Sequence, residues 1–92
     1  MPEPVVKKLE IENTRGLHAR ASAKFANCVE NFDADITVRK DGNTADGASI
    51  MELMMLGASK GSFIEVQAQG SDANAALETI SALLASKFGE EN

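Results

Sequence analysis

The residue in this sequence best suited to group-transfer chemistry is its single histidine, His18. It lies in the run Arg15-Gly16-Leu17-His18-Ala19-Arg20, directly before a segment with a helical pattern. The first turn of a helix leaves backbone N–H groups unpaired, and such groups commonly bind phosphate. A neutral imidazole also offers a nucleophilic lone pair near neutral pH. This placement therefore predicts a histidine that carries a phosphoryl group.

The plainer interpretation of His18 is a helix-start residue whose ring lies in solvent and does no chemistry. Gly16 fits both interpretations, because glycine lets a turn adopt conformations that are barred to other residues. Arg20 favours a carrier, since a nearby guanidinium stabilises the negative charge of phosphohistidine. The stabilisation of phosphohistidine must stay moderate. Each additional 1.4 kcal/mol or so of stabilisation shifts the equilibrium of onward transfer about tenfold toward the phosphorylated carrier.

Composition limits the class of protein. A chain of 92 residues, 43% hydrophobic and 25% charged, predicts one small globular domain over residues 1–92. The net charge of −5 and the absence of Trp and Tyr argue against nucleic-acid binding. No apolar run approaches the length of a membrane span, and the first residues lack the regions of a signal peptide, so we expect a cytoplasmic protein. With only Cys28 and one histidine, we expect no disulfide, no metal site and no cofactor.

Hydrophobic periodicity predicts the elements that must position His18. Alternating apolar residues predict strands over residues 5–12, 35–39 and 63–69, and a weaker strand over 44–46. Apolar stripes predict helices over residues 19–32 and 49–56, and a last helix that Ser71 and Asp72 cap and that ends before Gly89. Asp41-Gly42-Asn43 predicts a hairpin, and Glu90-Glu91-Asn92 a frayed end.

The order strand-helix-strand-strand-helix-strand-helix predicts an α+β fold. We expect a two-layer open-faced sandwich, in which three helices cover one face of a four-stranded, mainly antiparallel sheet and leave the other face in water.

The second helix predicts both a cap and an exposed apolar surface. Ser49 and Glu52 match a capping box, in which each side chain binds a backbone N–H group of the other residue. One helical stripe can be buried, and we expect it to contain Leu53 and Leu56, with Ile50 partly buried. The remaining apolar side chains then form an exposed patch that suits several protein partners, namely Met51, Met54 and Met55.

Four short motifs resemble those of HPr, the phosphocarrier protein of the bacterial phosphotransferase system. They are Gly16-Leu17-His18-Ala19-Arg20, Ser49-Ile50-Met51, Leu56-Gly57 and Lys60-Gly61. The resemblance spans nearly the whole chain. Three segments are most similar to the nitrogen-related branch of that family, namely Asn31-Phe32-Asp33-Ala34, Met54-Met55-Leu56 and Lys60-Gly61.

The resemblance implies that His18 accepts a phosphoryl group on Nδ1 from phosphorylated enzyme I and passes it to a histidine of an enzyme IIA-type protein. It implies that Arg20 stabilises the phosphate. In a subset of the family, HPr kinase/phosphorylase modifies the serine that matches Ser49, so the resemblance leaves open regulation at this residue. Such a protein is a transiently phosphorylated carrier rather than a free-standing enzyme, and we expect a monomer. The expected partner contacts are Leu17, Ala19, Ala23, Ile50, Met51, Met54 and Met55.

One position departs from the family, which usually has proline where this chain has Ala21. Loss of the φ restraint predicts a slightly looser loop with the chemistry intact. Two other functions stay open at this point. The chain could be a regulatory module that keeps the fold and acts only by binding proteins, or, more remotely, a small-ligand or nucleic-acid domain.

Overall fold

A four-stranded antiparallel sheet forms one layer of the protein, in the strand order β1-β4-β2-β3. The structure is a computed structural model and describes residues 3–90. The strands are β1 (Val5–Glu10), β2 (Asp35–Lys40), β3 (Asn43–Asp46) and β4 (Phe63–Gln69). The helices are α1 (Ala19–Val29), α2 (Ile50–Met55) and α3 (Ala73–Ala85), and a 3-10 turn follows at Lys87–Gly89.

The sheet has one buried face and one exposed face. Along β4, Ile64, Val66 and Ala68 are buried, whereas Phe63 and Glu65 between and before them are exposed. This alternation places Ile64, Val66 and Ala68 under the helices and leaves Phe63 and Glu65 on the exposed face. The predicted α+β sandwich is confirmed, with the predicted order of elements.

The helices bury the stripes that periodicity predicts. On α1 the buried residues include Ala21, Phe25 and Val29, and on α3 they include Leu77, Ile80 and Leu84. Helix α1 packs against both α2 and α3, and α3 also packs against β1 and β4. These contacts form one hydrophobic core that holds the N-terminal end of α1 in place.

Three predicted boundaries need correction. β1 ends at Glu10 rather than at residue 12 because its partner strand β4 begins at Phe63, which pairs with Glu10. α1 ends at Val29 rather than at residue 32, and the backbone N–H of Phe32 instead donates to Val29 in a tighter turn. Lys40 pairs with Asn43, so the hairpin loop consists of Asp41 and Gly42, both with positive φ as a tight hairpin turn requires.

The predicted caps are only partly correct. Ser49 caps α2 through its hydroxyl, which accepts from the backbone N–H of Glu52 at 3.2 Å. The Glu52 carboxylate does not return to Ser49 but accepts from the backbone N–H of Asp46 at 3.0 Å. It thereby fixes the end of β3 rather than the start of α2.

At α3, Asp72 is the N-cap residue but its side chain makes no capping hydrogen bond. Its carboxylate accepts from the backbone N–H of Asp33 at 2.7 Å, and the Ser71 hydroxyl donates to the Asp33 carboxylate. Both side chains are therefore used to tie the loop before β2 to the start of α3.

The predicted frayed end is wrong for Glu90, while Glu91 and Asn92 lie outside the described residues. Lys87, Phe88 and Gly89 all have positive φ, between 57° and 73°, and turn the chain back after α3. A non-glycine residue in this region costs about 1–2 kcal/mol. Burial of the Phe88 ring, 1% exposed, offsets this cost, and Lys24 Nζ donates to the Phe88 carbonyl at 2.5 Å.

Candidate functional site

His18 is the N-cap residue of α1, as the sequence predicts. Its backbone is extended (φ −74°, ψ −178°), and its carbonyl accepts the first helical hydrogen bond from Ser22 at 2.9 Å. Its ring nitrogen Nδ1 accepts from the backbone N–H of Arg20 at 3.3 Å. The imidazole therefore takes the place that Ser, Thr or Asp usually occupies at a helix start, with Nδ1 facing the unpaired N–H groups.

The turn before His18 is fixed by close backbone packing. Gly16 has a φ of +66°, and a Cβ built on it would lie 2.3 Å from the carbonyl oxygen of Ala58. That carbonyl accepts from the backbone N–H of Leu17 at 2.9 Å. Because only glycine fits here, the structure supports Gly16 as the residue that lets the chain enter α1 at this angle.

The other edge of the His18 ring faces the C-terminal end of the described chain. Nε2 lies 2.5 Å from the Oε2 of Glu90, a residue 72 positions away in the sequence. An ionised carboxylate can only accept, so Nε2 is the donor in this contact. Since Nδ1 accepts from Arg20, the two partners select one tautomer, with the proton on Nε2 and a lone pair on Nδ1.

Asn13 holds the Glu90 carboxylate in place. Its Nδ2 donates both to Glu90 Oε1 at 3.1 Å and to the carbonyl of Gly16 at 2.8 Å. Asn13 is fully buried, and within residues 3–90 its Oδ1 has no hydrogen-bond partner. These two acceptors fix the orientation of its amide group, so Asn13 connects the turn before His18 to the chain end that contacts it.

The charge of Glu90 is favoured by its neighbours. Burial alone would raise its pKa, but the hydrogen bonds that its carboxylate accepts from His18 and Asn13, together with electrostatic attraction to His18 and Arg15, outweigh that effect and lower the pKa. Glu90 is therefore ionised over a wider pH range than a free glutamate. The His18 ring beside it keeps 16% of its side-chain surface exposed.

Arg20 lies in the first turn of α1 and is exposed. Among residues 3–90 its guanidinium makes no hydrogen bond or ion pair, so it is available to a group that arrives at Nδ1 of His18. Ala21, where the family has proline, is buried in the core and begins no distortion of α1. Within the described part of the chain, no cluster of His, Cys, Asp and Glu could hold a metal ion.

An exposed apolar surface lies on α2, the helix that packs against α1. We call it the methionine patch, and its members are Ile50, Met51, Met54 and Met55. Met51 is 73% exposed and Met55 is 77% exposed, while Leu53 and Leu56 are buried as predicted. Ile50 is more exposed than expected, at 42%.

The other expected partner contacts divide between the surface and the core. Ala19 is exposed and Ala23 is half-buried on α1. Leu17 is 5% exposed and belongs to the core, so its expected role as a partner contact needs correction. Its backbone is held by Ala58, and the Ser22 hydroxyl donates to its carbonyl at 3.1 Å, which turns its side chain inward with the start of α1.

Comparison with known proteins agrees with this geometry. The family model described as "PTS HPr component phosphorylation site" matches residues 5–86. The chain belongs to the HPr family. A phosphocarrier protein HPr from Neisseria meningitidis is 42% identical over 91% of this chain and 94% of its own length. A phosphocarrier protein NPr from Shewanella violacea is also 42% identical, over 91% of this chain and 92% of its own length.

Solved HPr-family structures share the fold as well. The crystal structure of HPr-C-His from Thermoanaerobacter tengcongensis superposes with a TM-score of 0.91 at 39% identity, covering 96% of this chain and 99% of that one. The predicted membership in the HPr family is thus confirmed. Relatives named HPr and NPr match at the same identity.

Two residues of the site were missed by sequence reasoning. Sequence patterns predict no role for Asn13, and for Glu90 they predict only a frayed end. A polar residue before a Gly-containing turn is a weak signal for Asn13. Nothing in the local pattern around Glu90 indicates that it reaches a ring 72 residues away.

Proposed function

We propose that this HPr-family protein accepts a phosphoryl group on Nδ1 of His18 from phosphorylated enzyme I and passes it to an enzyme IIA-type acceptor. The observation that carries the proposal is the contact of Nδ1 with the Arg20 backbone N–H, 3.3 Å long, at the start of α1. The Arg20 N–H can only donate, so Nδ1 accepts this hydrogen bond with a lone pair. A nucleophile that attacks phosphorus requires such a lone pair.

The surroundings of Nδ1 suit a phosphoryl group that is bound and then passed on to an acceptor. Helix N–H groups and the free guanidinium of Arg20 can stabilise an added phosphate. Lys24, the next cation along α1, is committed to the Phe88 carbonyl. Moderate stabilisation of this kind favours transfer in both directions over permanent capture.

Labelled phosphoenolpyruvate with enzyme I tests the proposal. We expect an acid-labile label on the native chain, its loss in His18→Ala, and its transfer to an added IIA-type protein. Arg20→Ala should accept the label more slowly and at a lower final level, because it keeps the nucleophile but loses the cation. Native protein that takes no label would contradict the carrier function and favour a module that only binds proteins.

The methionine patch, together with Ala19 and Ala23 of α1, is the proposed docking surface for both donor and acceptor. Its exposure and its position beside α1 support this role, since an apolar area on a small domain is stabilised by a partner that covers it. Whether those acceptors regulate nitrogen metabolism, as the NPr-like motifs suggest, is tested by recovering acceptors from the native cell.

Ser49 is the proposed regulatory site. Its hydroxyl is half-buried at the edge of the methionine patch, next to Ile50. A phosphate there would add about −1.5 to −2 charges beside an apolar docking surface and weaken the binding of enzyme I. Incubation with HPr kinase and ATP should add one phosphate to Ser49, detected by mass spectrometry and lost in Ser49→Ala; modification at another residue would contradict this role.

A further inference from the structure

The two nitrogens of the His18 ring have separate partners on opposite edges. Nδ1 faces the start of α1, and Nε2 contacts the Glu90 carboxylate at 2.5 Å. The carboxylate thus accepts the hydrogen bond from Nε2 and makes no contact with the nucleophilic nitrogen, Nδ1. A carboxylate on the far nitrogen of an imidazole fixes its tautomer and stabilises positive charge on the ring.

We infer that Glu90 is a positioning residue, which keeps one proton on Nε2 of His18 while a phosphoryl group binds to Nδ1 and leaves again. The inference rests on the proposed function and adds a residue to it. The role concerns the charge of the ring during transfer. Arg20 and the helix N–H groups lie on the Nδ1 side of the ring, so they cannot accept the proton of Nε2 in a hydrogen bond.

The transfer balances without any movement of protons. In acceptance, the Nδ1 lone pair forms the new bond to phosphorus, and the leaving atom of the donor keeps the electron pair of the bond that breaks. The ring then carries the phosphoryl group on Nδ1, the proton on Nε2 and one positive charge, which the Glu90 carboxylate offsets. In release, a lone pair of the acceptor histidine forms the new bond to phosphorus, and the electron pair of the broken P–N bond returns to Nδ1, so the ring is neutral again.

Without the carboxylate, the positive charge of the phosphorylated ring would lose the counter-charge at Nε2, which favours the form of the ring that lacks the Nε2 proton. The departing nitrogen would then have to leave as an anion, which is a poor leaving group. Glu90 therefore keeps the phosphohistidine reactive, and its removal should make the P–N bond longer-lived rather than shorter-lived.

The local packing is suited to this role. Asn13 Nδ2 holds the second carboxylate oxygen of Glu90, and the Glu90 backbone N–H donates to the Lys87 carbonyl at 3.0 Å. The buried Phe88 ring anchors the same segment two residues earlier. The Glu90 side chain is only 10% exposed, so water competes weakly for its contact with Nε2.

The first test needs no phosphoryl transfer. Nitrogen-15 NMR of the unphosphorylated protein should show a protonated Nε2 and an unprotonated Nδ1 on neutral His18. In Glu90→Gln, an amide can donate to Nε2 or accept from it, so only the Arg20 N–H still favours a lone pair on Nδ1, and the other tautomer should become partly populated. The matched control is Glu78→Gln on an exposed position of α3, which should leave the native tautomer unchanged.

The second test measures the lifetime of phosphohistidine on the three proteins after labelling by enzyme I. Glu90→Gln should hydrolyse and transfer its label about tenfold more slowly than the native protein and Glu78→Gln, as expected for loss of a charge-assisted contact. If Glu90→Gln only disturbed the local structure, the lifetime of phosphohistidine would not become longer. Equal lifetimes and an unchanged tautomer in Glu90→Gln would overturn the inference, whereas failure of the native chain to take label would contradict the proposed function itself.

Discussion

The Cα of Gly16 faces the carbonyl oxygen of Ala58 so closely that a Cβ on Gly16 would lie 2.3 Å from that oxygen. The same carbonyl binds the backbone N–H of Leu17, the residue before His18. This packing joins the loop after α2 to the turn before α1. It thereby sets the direction in which the chain enters the helix and the position of the His18 ring.

Substitution of Gly16 by alanine should therefore destabilise the protein and displace His18. The positive φ alone costs about 1–2 kcal/mol for alanine, and the contact with Ala58 adds a backbone clash to it. We expect a loss of at least about 2 kcal/mol in the free energy of unfolding, measured by urea denaturation, together with slower phosphorylation.

Gly57→Ala is the matched control. Gly57 has nearly the same φ, +65°, but nothing lies within 4 Å of an added Cβ. Gly57→Ala should lose only the stability that the positive φ costs alanine, and it should keep the native rate of phosphorylation. Equal losses of stability in the two variants would show that the contact between Gly16 and Ala58 does not constrain the turn.

Charge placed in the methionine patch should weaken docking without unfolding the protein. Met51→Glu and Met55→Glu change side chains that are 73% and 77% exposed, so the free energy of unfolding should move by no more than about 0.5 kcal/mol. We expect affinity for enzyme I, measured by calorimetry, to fall at least about tenfold.

Ala82→Glu adds the same charge to an exposed position of α3, away from α2, and should keep native affinity. If the patch variants bind enzyme I as tightly as Ala82→Glu does, the docking surface lies elsewhere.

The contact of Glu90 predicts a pH dependence of stability. Its pKa is lower in the folded protein than its ordinary value, so the contact contributes stability above that ordinary value and loses it as the pH falls through the folded value. Native protein should be more stable than Glu90→Gln at about pH 7, and the difference should become smaller at an acidic pH, where the folded protein also protonates Glu90. Urea denaturation at the two pH values measures this; a difference that stays equally large at low pH would mean that packing, not charge, holds Glu90.

Local signals in the sequence were sufficient to place most elements and the central residue. The apolar stripe of α1 and the position of His18 before it predicted the N-cap, because both depend on residues within a few turns of each other. The turn residues Asp41 and Gly42 likewise predicted the hairpin between β2 and β3. Such features follow from backbone conformation and periodicity alone.

Long-range contacts were beyond that reasoning. Asp72 and Ser71 have the residue types of a helix cap, yet the loop at Asp33 uses their side chains instead. Leu17 lies next to the reactive histidine, yet its side chain completes the core. Glu90 reaches His18 only because α3 and the turn at Phe88 bring the chain end back, which depends on tertiary packing.

The most direct test of the phosphocarrier account is NMR of the protein after phosphorylation by enzyme I, with nitrogen-15 in the imidazole ring. The account predicts a bond between phosphorus and Nδ1 of His18, with the proton still on Nε2. A phosphoryl group on Nε2, or on any residue other than His18, would contradict it.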